Sequence, residues 1–222
     1  MKKTIASLLL ACLCLTACDP ARADVSSSTI KKEISSTVKI GFIFPEGKHH
    51  VEIIGSGVIV GEHLVLTARH VVLHGKPQKE FLKLSDGTVF IKFYVCKISL
   101  FHDLALIEVP DAHFKHPAKL AKRMPKVGER VYATGYPLGL FLSFTEGIVN
   151  FVEGGLIVHQ APIIFGNSGG PLWDTHGRVV GINVSMFTPV PSWAGNGVAE
   201  GVDHIRYFLN STDFFGLGTE KE

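Results

Sequence analysis

From Thr37 onward the chain is built of short β-branched and aromatic runs, each closed by a turn signal, and this pattern leaves little choice of fold class. The runs fall at 38–44, 51–60, 64–67, 89–98, 104–109, 130–135, 147–152, 156–159 and 179–184. Asp86-Gly87, Glu153-Gly154-Gly155 and Thr175-His176-Gly177 punctuate them. Many short strands with such punctuation predict an all-β sandwich or a pair of barrels, because βαβ units need long helical crossovers between strands. Helical pattern is confined to a turn at 68–72 and a stretch at 202–209. No internal repeat or low-complexity tract interrupts the folded part.

Composition supports a globular reading and narrows the partners. The 222 residues are 46% hydrophobic and 19% charged, enough to bury a sizeable core without staples. Basic residues number 22 and acidic residues 20. Lys2 and Lys3 lie in a leader, so removing it leaves a formally neutral chain with no clustered basic face. Nucleic acid is therefore not an expected partner.

The leader has the order of a secretory signal: Met1-Lys2-Lys3, then an apolar run over 4–15, then small residues. That run is too short to span a bilayer, which takes roughly 20 residues as a helix. Its end, Leu15-Thr16-Ala17-Cys18, resembles a bacterial lipobox, which implies cleavage before Cys18 and acylation of that cysteine. Asp19 after it resembles the inner-membrane retention signal of enterobacterial lipoproteins. Cleavage after Ala21-Arg22-Ala23, giving a soluble periplasmic or secreted chain, is the alternative. The expected organisation is a signal peptide over 1–17, a lipidated Cys18 with a flexible tether to 36, a folded domain over 37–212 and a tail over 213–222. A tether of that length spans roughly 25 Å as random coil. Cys12 and Cys14 leave with the signal, so Cys96 has no partner for a disulfide and reads as a buried structural thiol.

The strongest chemical signal is Gly166-Asn167-Ser168-Gly169-Gly170-Pro171-Leu172. A hydroxyl among glycines is openly approached, and a glycine turn can aim backbone N–H groups at one point. Acyl transfer needs that pairing of nucleophile and anion-stabilising donors. A serine hydroxyl also needs a base to take its proton. Of the eleven histidines, His70 stands at the end of a strand running into a turn, where a rigid scaffold can present it. Asp103 opens the apolar run Leu104-Ala105-Leu106-Ile107 and suits the carboxylate that fixes an imidazole tautomer. His113-x-x-His116 and His49-His50 show no converging Cys or acidic set, so no metal site is expected. Gly55-x-Gly57-x-x-x-Gly61 lacks the helix of a nucleotide fingerprint and reads as strand. No cofactor is expected.

Thr67-Ala68-Arg69-His70, then Asp103-Leu104-Ala105-Leu106, then the Ser168 motif occur in the order His, Asp, Ser. This order resembles that of the chymotrypsin-fold serine proteases. Val127-Gly128-Glu129, Gly135-Tyr136-Pro137-Leu138-Gly139, Glu146-Gly147-Ile148-Val149 and Gly177-Arg178-Val179-Val180-Gly181-Ile182-Asn183 make the chain similar to the bacterial HtrA (Deg-type) branch over residues 37–210. The resemblance implies two six-stranded antiparallel β-barrels with a short C-terminal helix and an active site in the cleft between them. It implies catalytic His70, Asp103 and Ser168, an oxyanion hole of the Gly166 and Ser168 amides, and polypeptide substrates.

Departures from the family pattern shape the remaining expectations. No PDZ domain follows in the given sequence, no basic activation site precedes the domain, and no cysteine follows His70. The apolar stretch Pro162-Ile163-Ile164-Phe165 is expected to wall the substrate pocket, with Pro162 near its base and Asn183 where glutamate-specific relatives carry histidine. A small or medium apolar P1 residue follows. The apolar loops 138–144 and 187–193 flank the expected cleft, either packing on a barrel or capturing exposed hydrophobic segments. An exported, lipid-anchored endopeptidase of the bacterial envelope is the leading expectation, with a non-catalytic client-binding module as the rival.

Overall fold

The computed structural model describes residues 25–46, 49–187, 196–212 and 214–215. The stretch expected to be a signal peptide, Cys18 and most of the 187–193 loop lie outside them. One sheet contains β1 (Thr37–Glu46), β2 (His49–Ile59), β3 (Leu64–Thr67), β4 (Lys79–Lys83), β5 (Val89–Phe90), β6 (Tyr94–Ser99) and β7 (Ala105–Glu108). The other contains β8 (Lys119–Leu120), β9 (Arg130–Gly135), β10 (Ser143–Glu153), β11 (Leu156–His159), β12 (Pro171–Trp173), β13 (Arg178–Phe187) and β14 (Asn196–Gly201). A short β15 (Phe214–Phe215) returns to pair with β6 in the first sheet. Helices are short: α1 (Ser27–Ser36), α2 (Arg69–Val72) and α3 (Val202–Asn210).

The fold is all-β and chymotrypsin-like, with two curled sheets in series. The second runs β12-β9-β10-β11-β14-β13 and closes on itself through β12–β13, a six-stranded barrel with β8 added in parallel. The first is a curled sheet in the order β15-β6-β7-β3-β2-β1-β4-β5, without a closing pair among the described residues. Its spine is β1 on β2, in register from Thr37 opposite Val58 to Glu46 opposite His49. The expected single run over 89–98 is two strands, because Phe93 turns into the core while Ile91 and Lys92 face solvent.

Three apolar clusters hold this together. One fills the first sheet around Val38, Ile40, Leu82, Ala105 and Ile107, and another fills the second barrel around Val131, Val149, Ile157 and Leu172. The third joins them: Val58, Leu66, Leu104 and Leu106 pack with Tyr132, Trp173, Ile182, Ile205 and Phe208. A hydroxyl joint reinforces the seam, since Thr37 Oγ1 and Thr134 Oγ1 are 2.6 Å apart and Trp173 Nε1 donates to Thr134 Oγ1. Lys97 caps the far end of α3, donating to the Ser211 carbonyl at 2.7 Å with its ammonium over the Phe208 ring. A cation there meets the negative end of the helix.

The expected flexible tether is corrected over its second half. Ser27–Ser36 forms α1, begun by Ser26, whose Oγ accepts the Thr29 N–H. The helix docks through the Ser36 hydroxyl on the His116 carbonyl and through Glu33, which is 1% exposed. Neither Glu33 carboxyl oxygen has a hydrogen-bond partner among the described residues. Burial, reinforced by the charge of Asp174, pushes the Glu33 carboxyl up to about 8.

A folded-state value above the unfolded one means that folding takes up a proton. The stabilisation is complete below the unfolded value and is lost as pH rises toward 8. Replacing Glu33→Gln is expected to leave the melting temperature unchanged near pH 4.5. At pH 8.5 it should raise it by about 3 °C or more, roughly 1 kcal/mol for a domain of this size. Equal melting curves at both pH values would show that α1 does not carry a buried neutral carboxyl.

Candidate active site

The site is assembled at the seam between the two sheets. Strand β3 ends at Thr67, and the chain turns into α2, which carries His70. Asp103 lies in the loop from β6 to β7. That loop is shaped by Ser99, whose Oγ accepts the N–H groups of Phe101 and His102 and whose own N–H donates to the Leu104 carbonyl. Arg69 ties the same loop to α2 by donating to the Ser99 carbonyl at 3.0 Å.

Asp103 holds His70 at two points. Its Oδ1 accepts the His70 backbone N–H at 2.9 Å, and its Oδ2 accepts Nδ1–H of the ring at 2.6 Å. Burial alone would raise the Asp103 carboxyl. The His70 hydrogen bonds and the nearby positive charge outweigh it and hold the group below the usual carboxylate range. An ionised acceptor on Nδ1 places the proton there and leaves Nε2 as the basic nitrogen.

Ser168 sits in a loop clamped from both sides. The Ser56 N–H of β2 donates to the Ser168 carbonyl at 2.7 Å, and the Ser56 hydroxyl donates to the Gly166 carbonyl at 2.7 Å. That hydroxyl also accepts the Tyr136 N–H. On the other side Gly169 N–H donates to the Asn183 carbonyl of β13. Gly166 (φ +95°) and Gly169 (φ +83°) have left-handed backbones, and a Cβ on either would lie within 2.3 Å of neighbouring atoms. The Phe165 carbonyl is taken by the Leu138 N–H at 2.7 Å, and Leu138 itself is bent into the left-handed region (φ 53°). Because the 165–166 peptide is trans, the Gly166 N–H points away from Leu138.

His70 and Ser168 line one cleft of about 350 Å³ together with Ile163, Ile164, Phe165, Val184, Ser185 and Met186. No hydrogen bond joins Ser168 Oγ to His70. Such contacts are often long in an empty site and tighten around substrate. Of the residues expected to wall the pocket, Ile163, Ile164 and Phe165 face this cleft. Pro162 and Asn183 do not: Pro162 is exposed, with its carbonyl bonded to Thr145, and Asn183 is fully buried. The Asn183 amide donates to the Gly170 carbonyl, and its Oδ1 accepts from Nε2 of His159, which is fully buried. Burial pushes the His159 ring down to about 4, so the ring is a neutral donor at ordinary pH.

Sequence reasoning missed several of these parts. Ser56 read as one residue of a strand, and nothing local marked its reach to Gly166. Glu200, in the apolar strand β14, is 6% exposed. Its Oε1 accepts the Asp103 N–H at 3.0 Å, and its Oε2 lies 2.5 Å from Nδ1 of His204. His102 stacks on His204 with ring centres 3.8 Å apart.

Residues 55–182 match the family model of the trypsin-like peptidase domain. The chain belongs to the trypsin-like peptidase family. It is 31% identical over 189 residues to the magnetosome formation protease MamE of Magnetospirillum gryphiswaldense, covering 76% of this chain and 24% of that protein. It is 35% identical over 186 residues to the serine protease HTRA1 of Xenopus laevis, covering 76% and 39%. A probable periplasmic DegP-like serine endoprotease of Buchnera aphidicola is 32% identical over 189 residues, covering 80% and 40%. The chain thus spans about a quarter to two fifths of the length of these relatives. Among solved structures, the active form of an M. tuberculosis protease superposes with a TM-score of 0.71 at 22% identity, covering 90% of this chain and 89% of that one. A serine endoprotease of Yersinia pestis gives 0.69 at 24% identity, covering 82% and 64%.

The Ser56 clamp yields a direct test. Ser56→Ala strands the buried Tyr136 N–H and Gly166 carbonyl, a loss of about 1–3 kcal/mol. Urea unfolding is expected to report that loss, and hydrogen exchange should quicken at 166–168. An unchanged midpoint would show that the clamp contributes nothing to the loop.

Proposed function

We propose that this chain is an exported serine endopeptidase, anchored to a bacterial envelope membrane through Cys18, that cuts polypeptides through an acyl-enzyme. The observation that carries the reading is Asp103 gripping Nδ1 of His70 while His70 and Ser168 share a cleft in a trypsin-like peptidase fold. In the proposed reaction, Ser168 Oγ bonds to the substrate carbonyl carbon as His70 Nε2 takes its proton. The Gly166 and Ser168 amides receive the negative oxygen. The C–N bond then breaks, the proton passes to the leaving amine, and water releases the acyl group by the same route. Asp103 supports the protonated ring throughout.

The cleft walls Ile163, Ile164, Phe165, Val184 and Met186 carry no acidic group, which favours an apolar P1 side chain. Relatives named as periplasmic or magnetosome-forming proteases support an envelope setting. Ile164 and Phe165 stand exposed in the cleft wall, with exposed Leu138 bonded to the Phe165 carbonyl, an apolar rim suited to unfolded chains. That rim favours a second reading: a client-binding module on the same fold.

A fluorophosphonate probe decides between them. Phosphonylation is expected at Ser168 in the parent and nowhere in Ser168→Ala. Asp103→Asn should slow it by about 10⁴-fold, since the amide favours the wrong tautomer. A parent that binds unfolded protein yet never labels would be the binding module. For the anchor, Cys18→Ser is expected to move the protein from the membrane to the soluble fraction; unchanged sedimentation would remove the lipid from the proposal.

A further inference from the structure

Behind Asp103 the fold gathers three metal-ligating side chains from three separate elements. His102 comes from the β6–β7 loop, Glu200 from the end of β14 and His204 from the first turns of α3. Their ligand atoms all lie within 4.8 Å of one another. Glu200 is more than nine-tenths buried, and the two imidazoles are mostly covered. The His204 ring lies directly over Gly155, where any Cβ would collide with Nε2, so its Nδ1 is turned to Glu200.

Hydrogen bonding alone leaves this group half satisfied. Glu200 Oε2 is 2.5 Å from Nδ1 of His204 but 3.7 Å from Nδ1 of His102, beyond hydrogen-bond distance. Two stacked rings therefore compete for one carboxylate oxygen, and only one of them bonds it. A divalent ion in place of that single hydrogen bond engages all three at once.

We propose that His102, Glu200 and His204 form a binding site for a divalent transition-metal ion of the zinc type, coupled to Asp103 through Glu200. Two imidazoles and a carboxylate, with water as a fourth ligand, are a zinc-type donor set. Bonds of about 2.0–2.1 Å at tetrahedral angles put ligand atoms about 3.3 Å apart. The Glu200–His204 edge must widen and the Glu200–His102 edge shorten, each by less than about 1 Å, and the stacked rings must splay as they do so. The spacing rules applied to the sequence expected no metal because residues 102 and 200 are distant in the chain.

The coupling is electrostatic. Oε1 of Glu200 holds the Asp103 N–H, and an ion on Oε2 drains that acceptor of charge. It also sets positive charge beside a triad whose transition state carries a protonated His70. Occupancy slows the chemistry without touching Ser168. This coupling rests on the protease reading above; the metal site itself does not.

Titrating the purified full chain with Co²⁺ is expected to give a ligand-field absorption band that saturates at one equivalent and is displaced by Zn²⁺. His204→Gln keeps a donor toward Glu200 but is a poor ligand. It and His102→Gln should each weaken the band's affinity at least tenfold, with circular dichroism confirming the fold. The more exposed group Glu62, His63 and His113 is the competing site, so His113→Ala must leave the band intact. Zn²⁺ should also slow fluorophosphonate labelling several-fold in the parent and not in His204→Gln. No band, or a band lost only with His113→Ala, overturns the site. A normal band with labelling unaffected by Zn²⁺ overturns the coupling. A band without labelling in any variant leaves the site standing and removes the protease reading instead.

Discussion

An aspartate at the mouth of an apolar strand is tolerable only if donors meet its charge, and in this chain the donors are His70 itself. Asp103 accepts both the backbone and the ring of that residue. The bond from the backbone N–H fixes where α2 stands relative to the β6–β7 loop, and the bond from the ring fixes which nitrogen is basic. Arg69 and Ser99 hold the loop to α2, and Glu200 reaches over from the second barrel to hold the Asp103 N–H. The doubly hydrogen-bonded pair is thus a structural fastening between α2 and its neighbouring loop as much as a chemical device. Its cost is that the carboxylate must stay partly buried, which the two bonds from His70 offset.

Much of this arrangement was legible in the sequence because it is local. Leu64–Thr67, Arg130–Gly135 and Leu156–His159 are strands with the bounds their composition suggested. His70 and Asp103 stood at the end and the opening of such runs, where side chains reach a cleft, and Ser168 stood out by the glycines around it. What stayed hidden was long-range. Pro171–Trp173 is too short to show a period of two, yet it is the strand that closes the second barrel. Glu200 sits in an apolar strand among small residues, and only the packing of β14 against the Asp103 loop gives it a role. Analogy of position puts Pro162 and Asn183 at the pocket. The actual chain turns Asn183 inward to brace the Gly170 carbonyl and brings Val184, Ser185 and Met186 to the cleft in its stead.

The helix α1 shows how tertiary contact overrides composition. Its serines and lysines read as a solvated linker, and its intrinsic propensity is modest. It folds because Ser26 caps it and because the Ser36 hydroxyl and the Glu33 side chain have places to go on the body of the protein. A linker with one buried carboxyl is a conditional element. Its docking weakens as Glu33 loses its proton, while the two sheets rest on their apolar clusters.

The joint between Thr37 and Thr134 bears on how the cleft moves. These two hydroxyls, with Trp173 donating to one of them, lie in the buried seam where β1 leaves α1 and meets β9. Opening the cleft by swinging one barrel from the other would break this dry contact and part the shared apolar cluster along with it. The two halves therefore travel as one rigid body. Adjustment of the cleft then falls to its rim, to Leu138 with its bent backbone and to Phe165, whose carbonyl it holds. The cleft is thus framed by two halves joined through one buried seam, and the one left-handed non-glycine residue among the described residues, Leu138, lies on its rim.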